Sequence, residues 1–519
     1  MELETTSLSQ RLRHATLMAR ERVYRFGTST PLEKLALPGD GPEIWIKRED
    51  LSPVKAYKWR GAANRMAMLG PGESARGVVT ASAGNHAQGV ALAASHLGIK
   101  ARIYMPTPTP RVKQAAVLHH GGDLVEIRLA GDTYDDAVHA AHADVEKSGA
   151  VYIHAYDDLD VMAGQATLAD EVILSGKGPF DAAFLQIGGG GMAAGVANWL
   201  RLHWPDIEII GVEAEGQAAM KAALDAGKRV ALDQVDLFCD GTAVRQIGIL
   251  PYEILREILT RVEVVENSAV SRAIRTLWET HRCIAEPSGA LGLAAILQNP
   301  DRYRGKRVLA IQCGANVDFL QLGIIAQSLD AGGRSSRTLR VCIPERAGTM
   351  LRLLDEGFAG TNIADFQYGK SDEKNAWPAF TITADDPAVL DAVPARLNAA
   401  GYLWDDLTGA PDIRFRAIPL RRDLLCNPLF LRLDFYERAG ALRDFLTARL
   451  GGNASLCYFN YRQSGERIGR ALIGIEFPSP YERDAFLLAL PPHGEGYRLC
   501  EPVDTRTTAR LAGIHSEGS

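Results

Sequence analysis

Lys58 lies in the segment Lys47-Arg-Glu-Asp-Leu-Ser-Pro-Val-Lys-Ala-Tyr-Lys-Trp-Arg-Gly-Ala62, where the pattern predicts a strand-to-helix junction. An amine that attacks a carbonyl must first lose its proton, and a desolvated junction beside a helix dipole favours that loss. The competing reading is an exposed helix-start lysine, which Lys55 shares. Tyr57, just before Lys58, offers a face for stacking on a planar ring, or simply a core side chain.

Two glycine-bearing turns supply anion sites. In Ala81-Ser-Ala-Gly-Asn-His-Ala-Gln-Gly89 an apolar run gives way to helical spacing, so Ser82, Ala83, Gly84, Asn85 and His86 stand at the positive end of a helix and suit a carboxylate. The neutral amide of Asn85 adds a donor able to reach a ring hydroxyl, while an ordinary N-cap is the plainer reading. Gly188, Gly189, Gly190 and Gly191, followed by Met192, succeed an apolar strand and let backbone N–H groups approach a phosphate. Ala285-Glu-Pro-Ser-Gly-Ala290 places Glu286 at a helix entrance, as a cap or as a group that orients a cofactor, and Cys313-Gly-Ala-Asn-Val-Asp318 closes the series.

No single segment suffices, but together they point to a pyridoxal phosphate site. Gly188, Gly190 and Ala193, with Glu213 roughly 20 residues on, also satisfy the loose dinucleotide-binding pattern. That alternative gives no reason for the lysine segment or for Ser-Ala-Gly-Asn-His. Glu213 and Glu215 are read as solvated carboxylates at a strand end, and His86, His119 and His120 lack ligand spacing, so no metal is assigned.

The elements that must position these residues follow from the rest of the chain. Its 519 residues predict two to four domains. Lys plus Arg is 57 against 63 Asp plus Glu, a net charge of −6 with no basic run, which argues against nucleic acid or an anionic membrane as partner and for a small molecule. No stretch approaches the ~20 apolar residues of a membrane span. Seven cysteines without C-x-x-C spacing predict free thiols in a reducing, cytoplasmic setting. Strand-like runs at 77–81, 102–105, 182–187, 207–212 and 307–312 alternate with helical spacing at 87–97, 193–202, 268–281 and 290–298. This alternation predicts an α/β catalytic region with a largely parallel sheet, in two subdomains over 1–329.

Residues 330–338 read as a linker. Beyond it Glu345-Arg-Ala-Gly348 recurs 92 residues later as Glu437-Arg-Ala-Gly440, and Phe366-Gln-Tyr368 recurs 93 residues later as Phe459-Asn-Tyr461. Two landmarks in one register predict a duplicated β-α-β-β unit, hence two ferredoxin-like α+β modules at 339–425 and 426–503 before a tail at 504–519.

With these residues in view, the chain resembles the fold-type-II pyridoxal phosphate enzymes, whose catalytic fold is tryptophan synthase β-like, and within them the biosynthetic threonine ammonia-lyases. The resemblance runs from Thr30-Pro-Leu-Glu-Lys34 to Pro478 and takes in two ACT-like regulatory modules. It implies that Lys58 carries the cofactor and removes the α-proton, Tyr57 stacks on the ring, Asn85 meets the ring hydroxyl, Gly188 to Met192 hold the phosphate and Ser82 to His86 bind the substrate carboxylate. It also implies β-elimination of L-threonine to 2-oxobutanoate and ammonia, the entry to isoleucine, in a homotetramer regulated by branched-chain amino acids through Tyr368, Tyr461 and Arg462.

Several positions depart from the family pattern. Cys313 stands where the family commonly has a serine facing the ring nitrogen, which keeps L-serine or another β-substituted amino acid open as substrate. Ala83 replaces the serine of related racemases. Ala56, Trp59 and Ala166 are read as reshaping the pocket, and Gly369 replaces an arginine that would anchor an effector carboxylate. A catalytically weakened amino-acid sensor is the reading from a different class.

Overall fold

A computed structural model describes residues 7–37, 39–330, 335–344, 346, 348–367, 374–384, 386–408, 425–436, 445, 447, 449, 455–463, 468–491, 497–504, 507 and 508. The chain falls into two units, Met1–Phe319 and Leu320–Ser519.

The first unit holds two sheets. One is wholly parallel, in the order Val125–Leu129, Ala101–Met105, Val78–Ala81, Val151–Tyr152. The other runs Leu32–Lys34, Glu43–Arg48, Arg307–Gln312, Ala182–Gln186, Glu208–Ala214, Arg261–Val265, parallel throughout except at its first pair. Val78–Ala81 and Ala182–Gln186 are buried at every residue, which is why their sequences are mostly apolar without alternation, with only Thr80 and Gln186 polar. Helices cover these strands, and two large apolar clusters fill the layers between.

The predicted strands and helices of this unit appear within a few residues of their expected ranges. The four helices begin earlier than expected, at Asn85, Gly191, Asn267 and Pro287. Apolar spacing marks only the turns that face the core, whereas a first turn is defined by its backbone. Asn85, His86, Gly191 and Met192 therefore lie in first helical turns, where N–H groups are unpaired by construction.

In the second unit two four-stranded antiparallel sheets share one topology. The first runs Asn362–Gln367, Ala379–Ala384, Ser335–Val341, Trp404–Asp406, and the second Ser455–Gln463, Ile468–Glu476, Leu429–Tyr436, Tyr497–Pro502. In chain order both read 2-3-1-4, the ferredoxin-like arrangement expected from the repeat. Phe366 and Phe459 occupy matching places on the second strands, facing Phe380 and Ile473. Strand Ser335–Val341 begins inside the segment read as a linker, because its Ser and Thr residues form the ladder without apolar periodicity. Tyr368, Gly369 and the side chain of Arg462 lie outside the described residues. Tyr461 is half-exposed on an edge strand, its ring parallel to that of Phe459. No helix is long and apolar enough to cross a membrane among the described residues.

Candidate active site

The backbone around Lys58 is held from three directions. Tyr57 N–H donates to the Cys313 carbonyl at 3.1 Å, Ala315 N–H to that of Lys55 at 2.9 Å, and Ala56 bridges Gly314. Lys55 takes a left-handed conformation, φ 57°, to make this turn, and the Ser52 hydroxyl clamps it by hydrogen bonds to both N and O of Ala56. From the second side, a Cβ on Gly89 would come within 2.9 Å of Trp59 Cα and 3.1 Å of the Lys58 carbonyl oxygen. From the third, a Cβ on Gly164 would lie 2.5 Å from the Arg60 carbonyl oxygen and 2.7 Å from Gly61 Cα. Glycine at 89 and 164 is thus a requirement of close packing against the lysine segment.

Lys58 caps the helix Trp59–Met66, and its Nζ donates to the Gly241 carbonyl at 3.0 Å. Gly241 packs against Glu286, and Glu286 accepts from Asn85 Nδ2 at 2.8 Å. Asn316 Nδ2 donates to Asn85 Oδ1 at 2.8 Å, so the amide of Asn85 is fixed in one orientation from both ends. Cys313 Sγ donates to the Ser288 carbonyl at 3.6 Å, and the Ser288 hydroxyl meets that of Thr242 at 3.2 Å. The backbone of Thr242 in turn lies where a Cβ on Gly188 would point, at 2.8 Å. Lysine, amide, thiol and glycine loop are thereby joined through residues 241 and 242.

The glycine loop is crowded from behind and open in its donors. A Cβ on Gly189 would enter the Tyr156 ring, one on Gly191 would sit 2.6 Å from the Tyr156 carbonyl oxygen, and Gly190 has φ 90°. Among the described residues no acceptor takes the N–H groups of Gly188 to Met192, which end at the N-terminus of the helix Gly191–His203. Five free donors at a helix N-terminus, with neighbouring side chains excluded, fit a phosphate ester.

The second turn offers fewer donors. Ser82 Oγ accepts from Gly84 and Ala87 N–H at 3.3 Å and caps its own helix. His86 Nε2 faces the Ile153 carbonyl at 3.0 Å, so that nitrogen carries the proton, and burial brings the imidazole pKa down to about 3. The Nδ1 of this neutral ring is an acceptor, not a donor. The N–H groups of Ala83, Asn85 and His86, free of described acceptors, remain for a carboxylate.

Burial, and after it the charge of Glu286, pushes the Cys313 thiol far above its ordinary range, so it stays S–H. Burial and the neighbouring Asp240 raise Glu286 to about 7, against the pull of Lys58, Lys113 and the Asn85 hydrogen bond. A carboxyl raised from 4.5 to about 7 stabilises the fold fully below about 4.5 and loses that contribution as pH climbs through 7. Glu286→Gln removes the titration. The stability of wild type relative to Glu286→Gln is therefore expected to fall by about 3 kcal/mol between pH 4.5 and pH 8, read from denaturant melts of the cofactor-free proteins.

Two sequence expectations are corrected here. Glu213 is not solvated but fully buried, where it accepts from the N–H groups of Met220 and Lys221 and caps the helix Ala219–Asp225. Trp59 turns into the core beside Val23 and Phe26, against Gly27, and its bulk goes there instead of reshaping the pocket. Gly241, Thr242 and Tyr156 carry no signal in the sequence, whereas Ser288 lies within Ala285–Ala290. The first three contribute backbone atoms, the Thr242 hydroxyl and the Tyr156 ring face, none of which leaves a spacing pattern. Asn316, in Cys313–Asp318, shows its partner only where the fold brings Asn85 to it.

Residues 23–314 match the family described as pyridoxal-phosphate dependent enzyme, and residues 426–501 match the C-terminal regulatory domain of threonine dehydratase. The biosynthetic L-threonine dehydratase IlvA of Burkholderia multivorans is 36% identical over 480 residues, 90% of this chain and 94% of the relative. The Escherichia coli protein of the same name is 37% identical over 465 residues, 88% of this chain and 89% of the relative. Among solved structures, the processed form of threonine deaminase isoform 2 from Solanum lycopersicum superposes with a TM-score of 0.59 at 39% identity, covering 62% of this chain and 93% of that one. Maize serine racemase gives 0.55 at 28% identity over 61% of this chain and 96% of that one. Because the pyridoxal-phosphate dependent enzyme family matches more than half of the chain and biosynthetic threonine dehydratases 36–37% identical to it span about nine-tenths of its length, the chain belongs to the pyridoxal-phosphate dependent enzymes and, within them, to the biosynthetic threonine dehydratases.

Proposed function

We propose that this chain converts L-threonine to 2-oxobutanoate and ammonia by pyridoxal phosphate-dependent β-elimination. The observation that carries the reading is the Lys58 amine, held at the Gly241 carbonyl one residue from Thr242, which backs the glycine cradle. Pyridoxal phosphate, once bound, supplies an electron-withdrawing ring that acidifies the Cα–H of an attached amino acid. Lys58 is the residue that would hold the cofactor, and its Nζ is the group that would take the Cα proton of the substrate once free of both the cofactor and the Gly241 carbonyl. Gly188, Gly189, Gly190, Gly191 and Met192 bind the phosphate through their N–H groups. Asn85, oriented by Glu286 and Asn316, would donate its remaining amide N–H to the ring hydroxyl, and Tyr57 would supply an aromatic face for the ring. The Cys313 thiol would be the partner of the ring nitrogen, a neutral and weak one that would leave that nitrogen without a proton. N–H groups within the stretch Ser82 to His86 hold the substrate carboxylate.

The regulatory domain match supports control by an amino-acid effector bound at the C-terminal modules, with Tyr461 and Arg462, and Tyr368 in the first copy, as contacts. We take the working enzyme to be a cytoplasmic homotetramer. Release of 2-oxobutanoate from L-threonine and of pyruvate from L-serine tests the substrate assignment. The expected result is about tenfold or more higher kcat/KM on threonine, the discrimination one methyl group supports. A reversed ratio would transfer the assignment to serine, and silence on both would overturn the threonine assignment in favour of another β-substituted amino acid.

A further inference from the structure

Four charges are sealed in the protein directly beside the Lys58 segment. Arg60 donates from Nε and Nη2 to the two oxygens of Glu49, each at 2.9 Å, and from Nη1 to Glu171 at 2.6 Å and Thr167 at 3.1 Å. Lys47 spends its three N–H donors on Glu171 and on the hydroxyl and carbonyl of Thr30. Lys47, Glu49 and Arg60 have 0% exposure and Glu171 has 8%. The group is neutral as a whole, and its attractions hold the Glu171 carboxyl below its ordinary range in spite of burial.

Such a box is a poor device for stability. Desolvating four charges offsets most of their attraction, and an apolar set of similar volume commonly serves as well or better. What charges supply instead is direction, since a guanidinium fork fits two carboxylates in one arrangement only. The box acts on the strand Glu43–Arg48 through Lys47, on the helix Leu159–Leu174 through Glu171, and on the first turn after Lys58 through Arg60. Arg60 N–H also donates to the Tyr57 carbonyl at 3.1 Å, closing the turn that contains Lys58.

We propose that the buried box of Lys47, Glu49, Arg60 and Glu171 positions Lys58, fixing the turn that presents its amine. These are positioning residues, and the inference rests on the reading of Lys58 given above. It accounts for Lys47, Glu49 and Arg60, to which the reaction assigns no role.

Replacing one neutral pair by apolar residues, Lys47→Met with Glu171→Leu, separates direction from stability in the holoenzyme. The expected protein melts within about 4 °C of the parent. Its kcat on L-threonine falls on the order of 10–100-fold, its KM changes by less than about threefold, and the absorption band of its bound cofactor shifts. Glu49→Asp keeps the charge, draws the Arg60 fork back by one methylene, and decides the matter with the same readouts should the double variant fail to fold. A folded variant with parental kcat and parental absorption band overturns the proposal. If Lys58→Ala is inactive while box variants are parental, only the box is refuted; an active Lys58→Ala removes the reading beneath it.

Discussion

Lys58→Ala is expected to lose on the order of 10⁴-fold in kcat on L-threonine, the upper range for a group that moves a proton in the transition state. The loss is large because one amine performs two tasks, carrying the cofactor and taking the Cα proton, and alanine removes both. Stability should change little, since the side chain is only partly buried and its single hydrogen bond ends on the Gly241 carbonyl. Lys58→Arg keeps the charge but not a deprotonatable amine, so it should be no better than alanine. Turnover and the visible absorption band of the purified proteins check this together: both should vanish while the melting transition persists. Activity within tenfold of wild type in Lys58→Ala would place the base elsewhere.

Gly188→Ala is the second large effect. Its new Cβ would lie 2.8 Å from both Cα and O of Thr242, and because those are backbone atoms no rotamer can yield. The separation must open by about half an ångström, either by moving the 241–242 turn or by tilting the cradle. Displacing 241 disturbs the carbonyl that holds Lys58 Nζ, and tilting the cradle withdraws N–H donors from a phosphate. Errors of this size in a functional site are the ones that matter. Cofactor affinity is expected to fall 10–100-fold, on the scale of ~1–3 kcal/mol for overpacking at a tight contact. Spectroscopic titration with pyridoxal phosphate measures it. Gly41→Ala, at an exposed glycine outside the site where a Cβ meets nothing within 4 Å, is the internal control.

Much of the site was readable because its chemistry is carried by residue type and by the turn that presents it. A lysine at a junction, four glycines after an apolar strand and Ser-Ala-Gly-Asn-His before a helix each have a physical signature in one dimension. The ferredoxin-like halves were readable because duplication writes the same landmarks twice, at Phe366 and Phe459. The buried strands Val78–Ala81 and Ala182–Gln186 announced themselves as apolar runs.

What the sequence determined by itself was therefore the order of elements, the α/β character of the first part and the identity of the reactive groups, all properties of local composition and periodicity. Only the tertiary structure decided their partners. Asn85 meets Glu286 and Asn316 across more than 200 residues, Lys58 ends on Gly241, and Glu171 reaches Lys47 and Arg60 from another helix. It also decided protonation: His86 is neutral and Glu286 raised because burial withholds the water that would stabilise their charged forms. Burial and long-range pairing arise from packing distant segments into one interior, and so they leave no periodic trace along the chain.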